Sequence, residues 1–179
     1  MKWFNPPPQW QAVDSTISLT TGPRTDFWRK THNGALRDNG HFYFQPVTGD
    51  FIADVHFSGQ YRDLYDQAGL MARQDTTTWL KCGIEYVEGV QHASAVVTRD
   101  FSDWSVVPLP QNPPKVWFRL TRHGITLEVR YSLDGDRYDL LRQAYLTASD
   151  TLQVGLMGCS PEGEGFTVTF EDLRIKFPG

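Results

Sequence analysis

The sequence is short of cysteine, of net positive charge, of long apolar runs and of helical periodicity, and each shortage excludes something. There are 2 cysteines in 179 residues, Cys82 and Cys159, both inside strand-like apolar runs. No CxxC pair and no Cys/His cluster of zinc-site spacing exists, and no loop is dense enough in Asp and Asn to resemble a calcium cage, so neither a metal nor a cofactor is expected. Two buried, reduced thiols are the expectation, which suits a cytoplasmic location, although the sequence leaves a disulfide between them open. The 17 basic residues are outnumbered by 21 acidic ones, giving a net charge of -4, and they are spread along the chain. That is neither a nucleic-acid footprint nor a polybasic membrane patch. No run approaches the roughly 18 apolar residues of a membrane span. The opening MKWFNPPPQW has one Lys but no apolar core region, so it does not read as a signal peptide.

What the chain does have is aromatic residues and two-residue periodicity. Aromatics make up 13%, with 6 Trp, 7 Tyr and 11 Phe. Such rings suit a large β core, and they also suit surfaces that stack on the apolar face of a sugar. Runs of about five to nine residues alternate apolar and polar, separated by Gly, Pro, Asn and Asp. Strands are predicted at 41–45, 50–59, 68–74, 79–87, 94–99, 116–124, 125–132, 139–146, 151–160 and 165–177. His123-Gly124 reads as a tight hairpin, Asp134-Gly135 is the strongest short turn signal, and turns are also predicted at Asn39-Gly40 and residues 48–50. The stretch VPLPQNPPK (107–115) reads as a loop, since Pro cannot donate to a sheet ladder. NPPP near the start reads as an extended lead-in.

In ITLEVRYS the apolar set is Ile125, Leu127, Val129 and Tyr131, and the polar set is Thr126, Glu128, Arg130 and Ser132. In FTVTFEDL the apolar set is Phe166, Val168 and Phe170. One buried and one wet face per strand implies two antiparallel sheets packed face to face, a jelly-roll β-sandwich, with a lipocalin-like barrel as the alternative. No repeat or linker divides the chain, so one domain over residues 1–179 is expected.

The wet faces differ in character. Thr167, Thr169, Thr126, Glu128 and Arg130 are ordinary solvent-facing residues. In WLKCGIEYVEG (79–89), Leu80, Cys82 and Ile84 face inward, and the other side carries Trp79, Lys81, Gly83 and Glu85. The second faces of nearby strands carry Gly69, Met71 and Arg73, and Trp117, Arg119 and Thr121. Side by side, these residues would form a floor of rings and charges, the make-up of a sugar or small polar-ligand site; the competing reading is a set of surface ion pairs, each contributing under about 1 kcal/mol. Loops add Trp28 beside Asp26, Asp66 and Gln67 in YDQAG, and Trp104 in FSDWS, read as a turn. His41 follows a turn and reads as a hydrogen-bonding structural residue rather than a base.

A glucanase would need two carboxylates in fixed geometry. No E-x-D-x-E strand is present; Glu88 stands at odd spacing from Glu85, and Glu162 and Glu164 sit in a glycine-rich loop. The sequence therefore favours binding over catalysis; if catalysis occurs, Glu85 is the candidate acid or nucleophile, with Lys81 tuning its charge.

The blocks TDFWRKT, DNGHF, YDQAGLMAR, WLKCGIEYVEG, VVTRDFSDWS, YSLDGDRY and VGLMGCSPEGEGF, in that order, resemble an uncharacterised bacterial and fungal family. It includes the yeast protein described as a regulator of enolase and belongs to the concanavalin A-like lectin/glucanase superfamily. The resemblance runs from about Trp3 to Phe177 and implies a jelly-roll sandwich with a convex and a concave sheet. By analogy it implies a glycan or small polar ligand on the concave face, or a regulatory protein-interaction domain acting on a metabolic enzyme. It implies no particular chemistry, because fold is not function.

Overall fold

Alternating runs bounded by turn residues leave little choice but strands, and the computed structural model, which describes residues 1–178, contains sixteen of them and no helix among the described residues. One seven-stranded antiparallel sheet, the site sheet, runs in the order β1 (Lys2–Phe4), β6 (His41–Thr48), β15 (Thr151–Cys159), β8 (Gln67–Arg73), β9 (Thr78–Val87), β10 (Val90–Arg99) and β11 (Phe101–Leu109). The second, the back sheet, runs β14 (Asp139–Tyr145), β13 (Thr126–Ser132), β12 (Val116–His123), β7 (Phe51–Gly59), β16 (Thr167–Lys176), β3 (Thr16–Thr20) and β2 (Gln9–Val13). A two-stranded hairpin, β4 (Phe27–Arg29) and β5 (Leu36–Asp38), stands apart. The result is the expected jelly-roll sandwich.

The sheets enclose one apolar core. Leu80, Cys82 and Ile84 of the site sheet meet Phe57, Phe118, Leu120, Val129 and Phe170 of the back sheet. Burying such side chains stabilises the fold by about 1.5–3 kcal/mol each. The outer face of the back sheet is as ordinary as its alternation implies: Ser18 and Thr169 share a hydroxyl hydrogen bond at 3.0 Å, Thr20 and Thr167 another at 3.2 Å, and Arg130 donates to Glu128 at 2.6 Å.

A second apolar layer lies on the other side of the site sheet. Phe27, Phe42, Phe44, Met71, Trp79, Val96, Met157 and Cys159 are buried there under the β4–β5 hairpin. The site sheet is thus covered on both faces over much of its area, which explains why every residue of β8 is buried.

Several boundaries differ from the sequence reading. Residues 2–4, 9–13 and 16–20 are strands at or near the sheet edges: 2–4 pairs with β6, 16–20 with β16, and 9–13 with 16–20. FSDWS is part of β11 rather than a turn, and β11 continues through Val107 and Pro108. Pro108 is tolerated because β11 is an edge strand. The hairpin after β12 turns on Gly124 and Ile125, with His123 paired to Thr126. Gly124 takes a positive φ of 58° and Ile125 is exposed, so Ile125 leaves the apolar set assigned to it. The turn at 48–50 carries the chain from one sheet to the other. Both cysteines are buried and unpaired; burial pushes the Cys82 thiol up to about 12 and raises Cys159 further.

Candidate functional site

The outer face of β9 is built by register. Gln67 of β8 stands opposite Glu85, Gly69 opposite Gly83, Met71 opposite Lys81 and Arg73 opposite Trp79. On the other side Val96 of β10 stands opposite Lys81, and Trp104 of β11 opposite Val96. The glycine pair leaves a gap between the Lys81 and Glu85 rows, and a Cβ on Gly69 would lie 2.0 Å from the Cys82 carbonyl. Over this face folds the segment that carries the β4–β5 hairpin.

Two buried cations fasten that segment. Lys81 Nζ donates to Asp26 Oδ1 at 3.0 Å and to the Phe27 carbonyl at 2.6 Å. Arg73 donates both terminal nitrogens to the Asp38 carboxylate, at 2.7 and 3.0 Å, and its guanidinium lies 4.7 Å from the Phe4 ring centre. Planar two-point pairing of this kind suits Arg and fixes orientation as well as distance. Burial works most strongly against the charge on Lys81, but the Asp26 carboxylate, Cys159 and Glu85 together outweigh it and hold its pKa above the ordinary lysine value. Asn5 adds amide hydrogen bonds to the carbonyls of Asp38 and Gly40, while Arg29 and Lys30 pair with Asp100 at 3.0 and 2.5 Å. His41 supports the same segment: its Nε2 accepts from the Gly22 amide at 2.8 Å, and its Nδ1 contacts the Asn5 carbonyl at 2.7 Å. Its role is structural, and burial lowers its pKa.

Where the hairpin ends and β11 begins, the cover is incomplete. A cavity of about 550 Å³ opens there, in the size range of small-molecule sites. Trp28 on the hairpin and Trp104 on β11 line it, and Tyr65 meets Trp104 edge to face at 6.3 Å. Trp104 is 43% exposed, a large ring turned to solvent beside a cavity. Glu85 and Gln67 lie on the floor, only 8% and 4% exposed. Glu85 Oε2 accepts from Ser94 Oγ at 2.8 Å and from Trp104 Nε1 at 2.7 Å. Burial raises the Glu85 pKa above its usual value, against the opposing pull of Lys81 and these two donors.

Of the ten residues singled out from sequence, five line the cavity: Trp28, Gln67, Lys81, Glu85 and Trp104. Three lie close by in other roles. Arg73 is a strut for the hairpin, and Trp79 is fully buried beneath it, with its ring 6.2 Å from Phe27. Asp66 is fully buried and clamps the preceding loop, accepting from the Arg62 and Asp63 amides at 2.9 and 3.0 Å and from Ser160 Oγ at 2.5 Å. The last two are on the wrong sheet: Trp117 and Arg119 belong to β12, on the outer face of the back sheet, where Arg119 pairs with Asp54 at 2.6 Å. The shared floor expected from strands 68 to 122 therefore ends at β11, because the chain crosses to the other sheet between Leu109 and Val116. The sequence reading missed the hairpin, although Asn33-Gly34 between FWR and LRD is a turn signal of the strongest kind, and Gly34 adopts φ 74°. It also missed Tyr65. Among the described residues no group of three or more His, Cys, Asp or Glu could hold a metal ion.

A jelly-roll sandwich with an aromatic-walled cavity on one sheet is the class these features define. The chain belongs to the family described as Protein of unknown function (DUF1349), whose model matches residues 3–178. It is 39% identical over 176 residues to Regulation of enolase protein 1 of Saccharomyces cerevisiae, covering 98% of this chain and 89% of that protein. Among solved structures, a functionally unknown protein from Saccharomyces cerevisiae superposes with a TM-score of 0.94 at 38% identity, covering 99% of this chain and 96% of that one. The carbohydrate binding module CBM66 from Bacillus subtilis superposes with a TM-score of 0.62 at 11% identity, covering 98% and 95%. At that identity the likeness concerns fold alone.

Proposed function

We propose that this protein binds a carbohydrate, or another small hydroxyl-rich ligand, in the cavity between the β4–β5 hairpin and β11. The observation that carries the reading is the pairing of cavity-lining rings, half-buried at Trp28 and Tyr65 and exposed at Trp104, with a buried polar floor. Trp28, Tyr65 and Trp104 offer flat apolar faces, and Glu85 and Gln67 lie between them at the base. Rings stack on a sugar ring while a few fixed polar groups read its hydroxyls. The fold shared with a carbohydrate binding module supports the reading by analogy. Lys81 acts here as a strut, since Asp26 and the Phe27 carbonyl already hold its ammonium. Calorimetric titration with glycans of several classes tests the proposal. Binding to wild type that Trp104→Ala weakens by about tenfold or more supports it; no binding across the classes, or binding indifferent to Trp104, refutes it.

A second reading is regulation of a metabolic enzyme through direct contact, suggested by the name of the yeast relative. The edge strand β11 favours it, since Phe101, Val106 and Val107 are exposed beside an unpaired strand edge. Titration with purified enolase, with Phe101→Lys as the control, tests it: a stoichiometric complex lost in the variant is expected, and absence of any complex refutes it.

A further inference from the structure

We infer, resting on the sugar-binding reading above, that the ligand carries a protonated amine among its hydroxyls: an amino sugar with a free amine, rather than a neutral or an acidic sugar. The hydrogen-bond inventory of the floor leads there. Glu85 and Gln67 are more than nine-tenths buried and face one another across β8 and β9. Glu85 Oε2 is filled by Ser94 and Trp104, and its Oε1 has no partner among the described residues. Gln67 Nε2 donates to the Tyr65 carbonyl at 3.1 Å, so its Oε1 is the amide atom left free.

Most donors nearby are engaged, with one N–H left on each of Lys81 Nζ and Gln67 Nε2. Ser94 Oγ and Trp104 Nε1 serve Glu85, Lys81 Nζ serves Asp26 and Phe27, and Trp28 Nε1 donates to the Thr31 carbonyl at 2.9 Å. The floor offers acceptors and is short of donors. A ligand carboxylate or phosphate would bring acceptor against acceptor and negative charge against Glu85. A hydroxyl supplies one donor, whereas an ammonium supplies three and a charge.

Charge decides between those two. Asp26 neutralises Lys81, whereas neither Glu85 nor the exposed Asp103 has an ion-pair partner among the described residues. A buried carboxylate without a counter-ion is costly, and an incoming cation relieves that cost. The faces of Trp28, Tyr65 and Trp104 attract a cation as well. Arg37, the positive group at the rim, is exposed and screened by water and salt.

The test is calorimetric titration of the full chain, in buffers spanning mildly acidic to neutral pH so that Glu85 is ionised in part of the series, with three matched probes: a chitosan tetramer, the fully N-acetylated tetramer and cellotetraose. The chitosan probe should bind at least about tenfold tighter than the other two. Glu85→Gln, which keeps the shape and an acceptor oxygen, should bring it down to their level, and Asp103→Asn, an exposed change that leaves folding intact, should cause a smaller loss. Equal or tighter binding of cellotetraose or the acetylated probe overturns the amine while leaving the sugar site standing. Chitosan binding unchanged in Glu85→Gln overturns it too, as general attraction to an acidic chain. Silence from all three probes, and from every other glycan class, removes the sugar reading together with the amine.

Discussion

The two outer faces of this sandwich look alike in sequence and differ in the folded chain. β9 carries Trp79, Lys81 and Glu85 on its outer face, and β12 carries Trp117, Arg119 and Thr121. Trp79, at 0% exposure, and Lys81 are buried under the segment that carries the β4–β5 hairpin, and Glu85 is buried in the cavity floor beside it. The β12 set faces solvent, where Arg119 pairs with Asp54 and lies over Tyr138, its guanidinium 4.4 Å from the ring centre. The same residue types thus act as buried struts in one place and as surface pairs in the other. What separates them is whether another segment covers the face.

That contrast should show most sharply in stability. Lys81→Ala leaves the half-buried Asp26 carboxylate without its cation, and removing one member of such a pair costs about 3–5 kcal/mol; Arg73→Ala should do comparable harm at Asp38. Chemical denaturation measures both. Arg119→Ala, with a side chain 38% exposed, should cost under about 1 kcal/mol. Similar losses at Lys81 and Arg119 would erase the distinction between the faces. Next in size is Phe27→Ala, which empties the plug beneath the hairpin and should cost about 3–5 kcal/mol less whatever the hairpin recovers by collapsing onto the gap.

Trp104→Ala sharpens the comparison from the other side. Its ring is half in solvent, so the melting temperature should move little while ligand affinity falls. Trp117→Ala on the back sheet should change neither binding nor the cavity.

The smallest effect belongs to Glu85, and its sign is informative. Burial raises its pKa, so the folded chain prefers the neutral carboxyl. The stability this group contributes is present below the unfolded glutamate value and is lost as pH rises through the raised folded value. Glu85→Gln should therefore melt slightly higher than wild type near neutral pH, with the two curves converging in acid. A lower melting temperature for Glu85→Gln at neutral pH would contradict this. A residue that costs stability while lining a cavity fits a functional position.

Much of the sandwich could be read in advance because alternation is direct physics: Leu127 and Val129, or Phe166, Val168 and Phe170, had to face a core. The cover was harder. Phe27, Trp28 and Leu36 lie in strands of three residues, too short for a period to declare itself. Sequence patterns also cannot report which sheet a strand joins, so the strand at 116–124 reads as part of the same floor as 79–87, whereas the proline-bearing segment after Leu109 takes the chain across to the other layer. For the same reason Lys81 read as a ligand group: its partner Asp26 lies 55 residues away in sequence.

The central claim is that the uncovered end of the site sheet is a ligand site built on Trp104 and Glu85. A glycan array probed in parallel with wild type and Trp104→Ala tests it most directly. The account predicts at least one glycan class retained by wild type and lost by the variant, whose melting temperature stays within a few degrees of the parent. An array blank for wild type, or a pattern identical in the two proteins, would contradict it.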